Sequence, residues 1–181
     1  NNLTISSVGT LAMIGANLVV NNLSLASGGV ISTPSGLSTL TANGTSAIAG
    51  TITTSGNQSY VGAVTLTADT TFVSGTGNIT FGSTINGTTA NTESLTLNAG
   101  TSGLVTVAGA VGSTVSLKNL TVTNSGGVTF SGSVIAGTAV ILTNTASAQT
   151  IAFNAGLTTP TLTTTANPYN VKIAGGTSTI T

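Results

Sequence analysis

A short phrase of alternating apolar and polar residues recurs along the chain. It reads apolar-Thr-apolar, and a third apolar residue follows four positions later. The clearest copies begin at Ile79, Val105, Val128 and Ile151, and their starts are 26, 23 and 23 residues apart. A period of two places the outer residues of each phrase on one side of a strand and the central residue on the other. A fixed repeat of this length is typical of a solenoid, whose repeats bury their apolar faces by stacking on one another.

A second phrase of the same kind predicts further strands in each repeat, or rung. Its copies are Leu3–Ile5, Leu23–Leu25, Leu95–Leu97 and Leu120–Val122, with looser copies at Val64–Leu66 and Val140–Leu142. Gly and Asn punctuate the phrases, as they do where a chain turns. The pattern predicts an all-β fold, a right-handed parallel β-helix (β-solenoid) with rungs of about 20–31 residues. An antiparallel β-sandwich, which also has many short strands, remains open as an alternative.

The alignment of rungs predicts which side chains lie above one another. One inner column should contain the following residues: Phe81, Val107, Phe130, Phe153 and Ile173. Glu93 and Lys118 each stand two residues before a copy of the second phrase. We therefore expect Glu93 and Lys118 to pair on the surface, one rung apart.

The composition favours one ordered body over residues 1–181. Hydrophobic residues make up 39% of the 181 residues, too many for a typical disordered linker. The phrase is already present at Leu3, and the chain stops in mid-pattern at Thr179-Ile180-Thr181, so we expect a single segment without evident caps. Such a segment would be partnered by flanking repeats of the same chain or by copies of itself. No apolar run approaches the length of about 20 residues of a membrane helix, so membrane insertion is not expected.

Few residues of this chain have side chains that could take part in catalysis. The chain has no Cys and no His, and its four charged side chains are Asp69, Glu93, Lys118 and Lys172. Most hydrolytic triads and metal sites use His or Cys. An acid–base pair of Asp69 and Glu93 should lie at opposite ends of a strand, farther apart than the roughly 5–10 Å that glycosidases use. We therefore predict no enzyme, and no catalytic, cofactor-binding or metal-binding residue.

Other binding chemistries are equally poorly supported. Two Lys and no Arg cannot neutralise a nucleic-acid backbone, so nucleic acid is not expected as a partner. Tyr60 and Tyr169 could meet sugars, but the pattern favours a role at the corners of the rungs. Seven Asn-x-Ser/Thr triplets occur, about the number that chance gives in a chain so rich in Ser and Thr.

Three stretches resemble the repeat phrases of very large bacterial exoproteins of the filamentous-haemagglutinin-like and autotransporter-like surface type. They are residues 53–71, residues 78–87, and Pro168-Tyr169-Asn170-Val171 with Gly175-Gly176. The resemblance implies an extracellular right-handed β-helix at the bacterial cell surface. It carries over no binding residues, because the matching phrase is scaffold.

We therefore expect a structural segment of an extracellular bacterial surface fibre, stalk or adhesin, with end-to-end self-association. Surfaces of host or neighbouring cells and their glycans would be further partners. The alternative is an ice- or carbohydrate-binding solenoid that uses arrays of Thr-x-Thr. Such pairs occur at Thr65/Thr67, Thr121/Thr123 and Thr161/Thr163, with interruptions at Asn98 and Ile141.

Overall fold

The computed structural model describes residues 1–36 and 38–181, which wind as parallel β-strands into a solenoid of about eight turns. In chain order the strands are β1 (Leu3–Ile5), β2 (Thr10–Ile14), β3 (Asn17–Val20), β4 (Leu23–Leu25), β5 (Val30–Ser35), β6 (Thr39–Ala42), β7 (Ser46–Thr53), β8 (Gln58–Tyr60), β9 (Val64–Val73), β10 (Ile79–Phe81), β11 (Ile85–Gly87), β12 (Leu95–Asn98), β13 (Val105–Val107), β14 (Leu117–Asn124), β15 (Val128–Phe130), β16 (Val134–Leu142), β17 (Thr150–Phe153), β18 (Leu157–Thr159), β19 (Thr161–Thr164), β20 (Asn170–Ile173) and β21 (Thr179–Ile180). In this described part we find no helix with the length and apolar character needed to span a bilayer.

Each rung contributes to three faces. Face 1 is the eight-stranded sheet β3-β6-β8-β10-β13-β15-β17-β20. The 13-stranded sheet supplies the other two faces, because β7, β9, β14 and β16 run across the corner between them. A register shift between Ile48 and Gly50 marks that corner in β7. We call the part that begins with β1 and β4 face 2, and the part that begins with β2 and β5 face 3.

The predicted inner column is confirmed on face 1. Phe81 pairs with Val107, and the register continues through Phe130 and Phe153 to Ile173. The third apolar residue of the phrase also stacks as expected, in the column Ile85, Val111, Val134 and Leu157. The first phrase thus predicts both strands and register correctly.

The copies of the second phrase lie on two different faces. Leu3, Leu23 and Val64 lie in one column of face 2. Leu95, Leu120 and Val140 instead lie in one column of face 3. The two faces share the same phrase because each has one buried side and one outward side.

Rung length varies less than the sequence pattern predicts. On face 1 the shortest rung runs from Leu40 to its register partner Gln58, and the longest runs from Ile79 to Val105. The predicted upper limit of rung length, about 31 residues, is the interval between Val64 and Leu95. Those two residues lie on different faces, so the interval between them exceeds one rung.

Aromatic rings fill the interior at two heights. Tyr60 and Phe81 stack with centroids 5.1 Å apart, and Phe72 of face 3 meets both rings edge-on at 5.0 and 5.2 Å. Phe130 and Phe153 stack at 5.0 Å. Stacking follows from the parallel register, because like residues on successive rungs face each other directly.

A hydrogen-bonded polar pair interrupts the apolar interior on face 1. Gln58 takes a position that Leu40 and Ile79 fill on the adjoining rungs, and both Gln58 and Tyr60 are fully buried. The Tyr60 hydroxyl donates to Gln58 Oε1 at 2.9 Å, and Gln58 Nε2 donates to the Val73 carbonyl at 2.7 Å. Burial raises the pKa of Tyr60 well above its ordinary value. The expectation that Tyr60 lies at a corner is therefore wrong; its ring fills the core and its hydroxyl bonds the neighbouring glutamine.

Glycines keep the corner between faces 1 and 2 tight. A Cβ at Gly62 would overlap the Gly44 carbonyl oxygen, and one at Gly132 would lie 2.5 Å from the Ala110 nitrogen. Neither Gly62 nor Gly132 has a positive φ. The requirement is therefore for space, since the backbone of one rung lies directly on that of the rung before it.

We predict that Gly132→Ala destabilises the protein by about 1–3 kcal/mol, the usual cost of overpacking, because the methyl group would enter the backbone of the preceding rung. Urea unfolding followed by circular dichroism measures the effect. The control is Ser83→Ala, two residues before Ile85 in the same corner column, and it should change stability little. Equal stability of Gly132→Ala and the parent would contradict the close packing of this corner.

We predict that Gln58→Leu and Tyr60→Phe each cost about 1–3 kcal/mol, because each leaves a buried partner without its hydrogen bond. The double variant should lose clearly less than the sum of the two, since both halves of the pair are then apolar. A double-mutant cycle by urea unfolding measures this coupling. Additive losses would show that the two side chains do not interact.

Candidate functional site

A corner loop joins face 2 to face 3 between β11 and β12, and it is built around Glu93. The Glu93 side chain is 4% exposed. Its carboxylate accepts hydrogen bonds from the Thr88 hydroxyl at 2.5 Å, the Thr88 N–H at 3.2 Å and the Thr89 N–H at 3.3 Å. The carboxylate therefore closes the corner loop of residues 88–93 on itself.

These contacts determine the acidity of Glu93. Burial alone would raise the pKa of the Glu93 carboxyl, because it disfavours the charged form. The hydrogen bonds from Thr88 and Thr89 outweigh burial and lower the pKa below its ordinary value of 4.5. Glu93 is thus a carboxylate held in its charged form by the loop that it closes.

The prediction that Glu93 and Lys118 form a surface ion pair is wrong. The predicted register, which places the two residues at the same position of neighbouring rungs, is confirmed. The Lys118 N–H donates to the Glu93 backbone carbonyl at 2.8 Å, which places the two residues side by side on neighbouring rungs. The Lys118 side chain is exposed, whereas the Glu93 carboxylate is buried and bonded to Thr88 and Thr89. The backbone amides of the loop provide closer donors than a solvated ammonium group.

The Asp69 carboxylate also accepts a hydrogen bond from the backbone. Its Oδ1 accepts from the Ser94 N–H at 2.7 Å, and Thr70 pairs with Leu95. Asp69 and Glu93 therefore both lie at the corner between faces 2 and 3 on neighbouring rungs, and the prediction that they lie at opposite ends of a strand is wrong. A general acid needs a raised pKa, whereas that of Glu93 is lowered. The arrangement gives each carboxylate the function of a backbone acceptor.

Asparagines bond successive rungs at the corners. Asn57 Oδ1 accepts from the Asn78 N–H at 2.8 Å, and Asn78 Oδ1 accepts from the Leu104 N–H at 2.9 Å. Each of these asparagines precedes an inward residue and then an outward Ser or Thr of the next strand. That order is itself the triplet Asn-x-Ser/Thr. The fold therefore explains the triplets at Asn57 and Asn78, although the total number of triplets is about what chance gives.

A column of buried hydroxyls at the corner between faces 3 and 1 was not predicted. Its members are Thr54, Ser74, Ser125 and Thr145, each at most 2% exposed, and Ala99 interrupts the column between Ser74 and Ser125. Thr54 Oγ1 donates to the Gly56 carbonyl at 2.6 Å, and the hydroxyls of Ser125 and Thr145 lie 2.7 Å apart. A signal was present, since Ser74 and Ser125 directly precede Gly at the end of a face 3 phrase. Tyr169 does lie at this corner as predicted, where its hydroxyl donates to the Leu142 carbonyl at 2.7 Å.

The outward threonines form single columns rather than one flat array of Thr-x-Thr pairs. Thr51, Thr71, Thr96 and Thr121 stack on face 3, and Ile141 then interrupts the column as predicted. Face 1 carries a second column: Thr41, Ser59, Thr80, Thr106 and Thr129. Of the predicted pairs, Thr65 lies on face 2, while Thr121 and Thr163 lie on face 3.

We predict that Glu93→Gln destabilises the protein by about 1–3 kcal/mol at neutral pH, because the amide turns a donor toward the donors of Thr88 and Thr89. A lowered folded-state pKa contributes stability that is full above the ordinary pKa of 4.5 and is lost as the pH falls through the lowered value. The deficit of the variant should therefore shrink in acid. Urea unfolding at several pH values measures it.

Lys118→Gln is the control and should match the parent at every pH, because its exposed ammonium group holds no part of the loop. A pH-independent deficit for Glu93→Gln would contradict the role of the carboxylate charge. Loss of stability in Lys118→Gln would instead support the surface ion pair.

Comparison with known proteins leaves the site to be interpreted from its own geometry. Models of protein families, curated proteins and solved structures all gave no match to this chain. The assignment of function therefore depends on the stacked interior, the corner bonds and the uncharged outer columns described above.

Proposed function

We propose that the chain is a structural segment of an extracellular bacterial surface fibre, stalk or adhesin shaft. The observation that carries the proposal is the continuous interior of the described residues, whose inward side chains stack in register from rung to rung. At about 4.8 Å per rung, eight rungs make a rod of roughly 40 Å. A rod of this kind spans a distance and resists bending, as a shaft must.

The outer surface supports the same proposal. The formal net charge is zero, and the acidic side chains are engaged in hydrogen bonds at the corners. Columns of small hydroxyl residues cover faces 1 and 3. Weak charge repulsion favours close association of rods. The resemblance of residues 53–71 to repeats of bacterial exoproteins supports the extracellular bacterial location.

The partner most compatible with the terminal rungs is another rung. Ile173 and Ile180 are 39% and 47% exposed, whereas Phe81 and Phe153 in the same kind of inward position are 0% exposed. A further rung would cover these side chains and pair the free strand edges. Flanking repeats of the same chain or a second copy would both provide it.

The alternative of ice binding has less support from the geometry. A regular flat array needs threonines paired across one face at every rung. Thr65/Thr67 and Thr121/Thr123 lie on different faces, and Ile141 interrupts the face 3 column. We therefore keep the scaffold as the proposal.

We predict that negative-stain electron microscopy of the purified chain shows unbranched rods of uniform width. Long filaments would identify copies of the chain as partners of the terminal rungs. Short single rods would identify flanking repeats as those partners. Compact particles without an axis would contradict a shaft.

The proposed location needs a separate test. Antibodies raised against the purified chain should label intact, unpermeabilised cells of the bacterium that produces it. Labelling that requires permeabilised cells would overturn the surface location while leaving the rod in place.

A further inference from the structure

An open groove of about 260 Å³ runs along the outer side of face 2 across its first four rungs. Its floor is formed by the outward residues Thr4, Ser24, Ala47 and Thr65, which follow one another in register. Ala47 is smaller than its neighbours in this column, so the floor is lowest there. The volume is just below the range of about 300–1,000 Å³ typical of small-molecule sites.

The wall of the groove is a ladder of amides at the corner between faces 1 and 2. Asn2 Oδ1 accepts from the Asn22 N–H at 3.3 Å, and Asn22 Oδ1 accepts from the Thr45 N–H at 2.9 Å. These bonds use the oxygen of each side-chain amide and fix its position. In the described residues the Nδ2 groups of Asn2 and Asn22 make no hydrogen bond within the protein, so they remain free to donate.

The floor adds groups that both donate and accept. The hydroxyls of Thr4, Ser24 and Thr65 line the groove, and within residues 1–36 and 38–181 they bond to no other protein group. Thr4 and Ser24 lie one rung apart, about 4.8 Å along the axis, whereas Ala47 separates Ser24 from Thr65 by two rungs. The groove thus presents three hydroxyls in one column, with a gap at Ala47, beside two oriented amide donors.

The chemistry of the lining selects the ligand class. Among the described residues that line the groove none is charged, which disfavours ions and charged polymers as ligands. The groove is open to solvent and offers little enclosed apolar surface for a hydrophobic ligand. A neutral chain with many hydroxyls matches it, because each ligand hydroxyl both donates and accepts, as the lining does.

We propose that this groove binds a neutral oligosaccharide lying along the axis of the solenoid. The site uses single Ser and Thr residues of face 2 with Asn2 and Asn22, not the Thr-x-Thr pairs. It provides a glycan-binding site on the side of the rod. The inference stands independently of the shaft, so its failure would leave the rod seen by electron microscopy unaffected.

The test uses four neutral tetrasaccharides as probes: cellotetraose, maltotetraose, mannotetraose and tetraacetylchitotetraose. Isothermal titration calorimetry measures their binding to the purified chain and to Ala47→Tyr, in which the ring would fill the lowest part of the floor. Ala152→Tyr is the matched control, because Ala152 is also a half-buried, outward alanine between two inward residues, but on face 1. Circular dichroism checks that both variants keep the β-signal of the parent.

We expect at least one probe to bind, with affinity at least tenfold lower in Ala47→Tyr and unchanged in Ala152→Tyr. Asn22→Ala should also weaken binding, although it removes a ladder bond and needs the same check of folding. Failure of all four probes at millimolar concentration would overturn the proposal. Equal binding to the parent and Ala47→Tyr would also overturn it, by placing the ligand elsewhere.

Discussion

The parallel pairing of each rung with the next is the interaction on which the whole structure depends. A single rung has no interior of its own, so its inward side chains become buried only when rungs lie above and below it. Pairing in register then decides which side chains meet. The aromatic stack of Tyr60 and Phe81 and the column that ends at Ile173 are consequences of that register.

The corners show how strictly the register is imposed. Straight segments satisfy their backbone groups by pairing with the next strand, but turns need other partners. Asn57 and Asn78 supply acceptors at one corner, and Glu93 and Asp69 supply them at another. Gly132 shows the other requirement, which is close contact between successive backbones. The few acidic groups of this chain are thus used as local backbone partners.

The sequence predicts the faces better than the polar groups inside the rungs. The first phrase gives the strands and register of face 1, because alternation directly reports which side is buried. The second phrase cannot separate Val64 from Leu95, since faces 2 and 3 impose the same alternation. Glu93 and Tyr60 were misplaced for a different reason. A loop with free amides can draw a carboxylate inward, and a neighbouring Gln58 can satisfy a buried hydroxyl, but neither arrangement follows from alternation.

The stacking of equivalent positions on successive rungs is the central claim, and a cross-linking experiment tests it most directly. The chain has no native cysteine. Thr80 and Thr106 are outward register partners on neighbouring rungs of face 1, and parallel neighbours lie about 4.8 Å apart, within the span of a disulfide. Stacking in register predicts that Thr80→Cys with Thr106→Cys forms an intramolecular disulfide under mild oxidation. The pair Thr80→Cys with Thr121→Cys, on different faces, should remain reduced. Cross-linking of the second pair and not the first would contradict the stacked register.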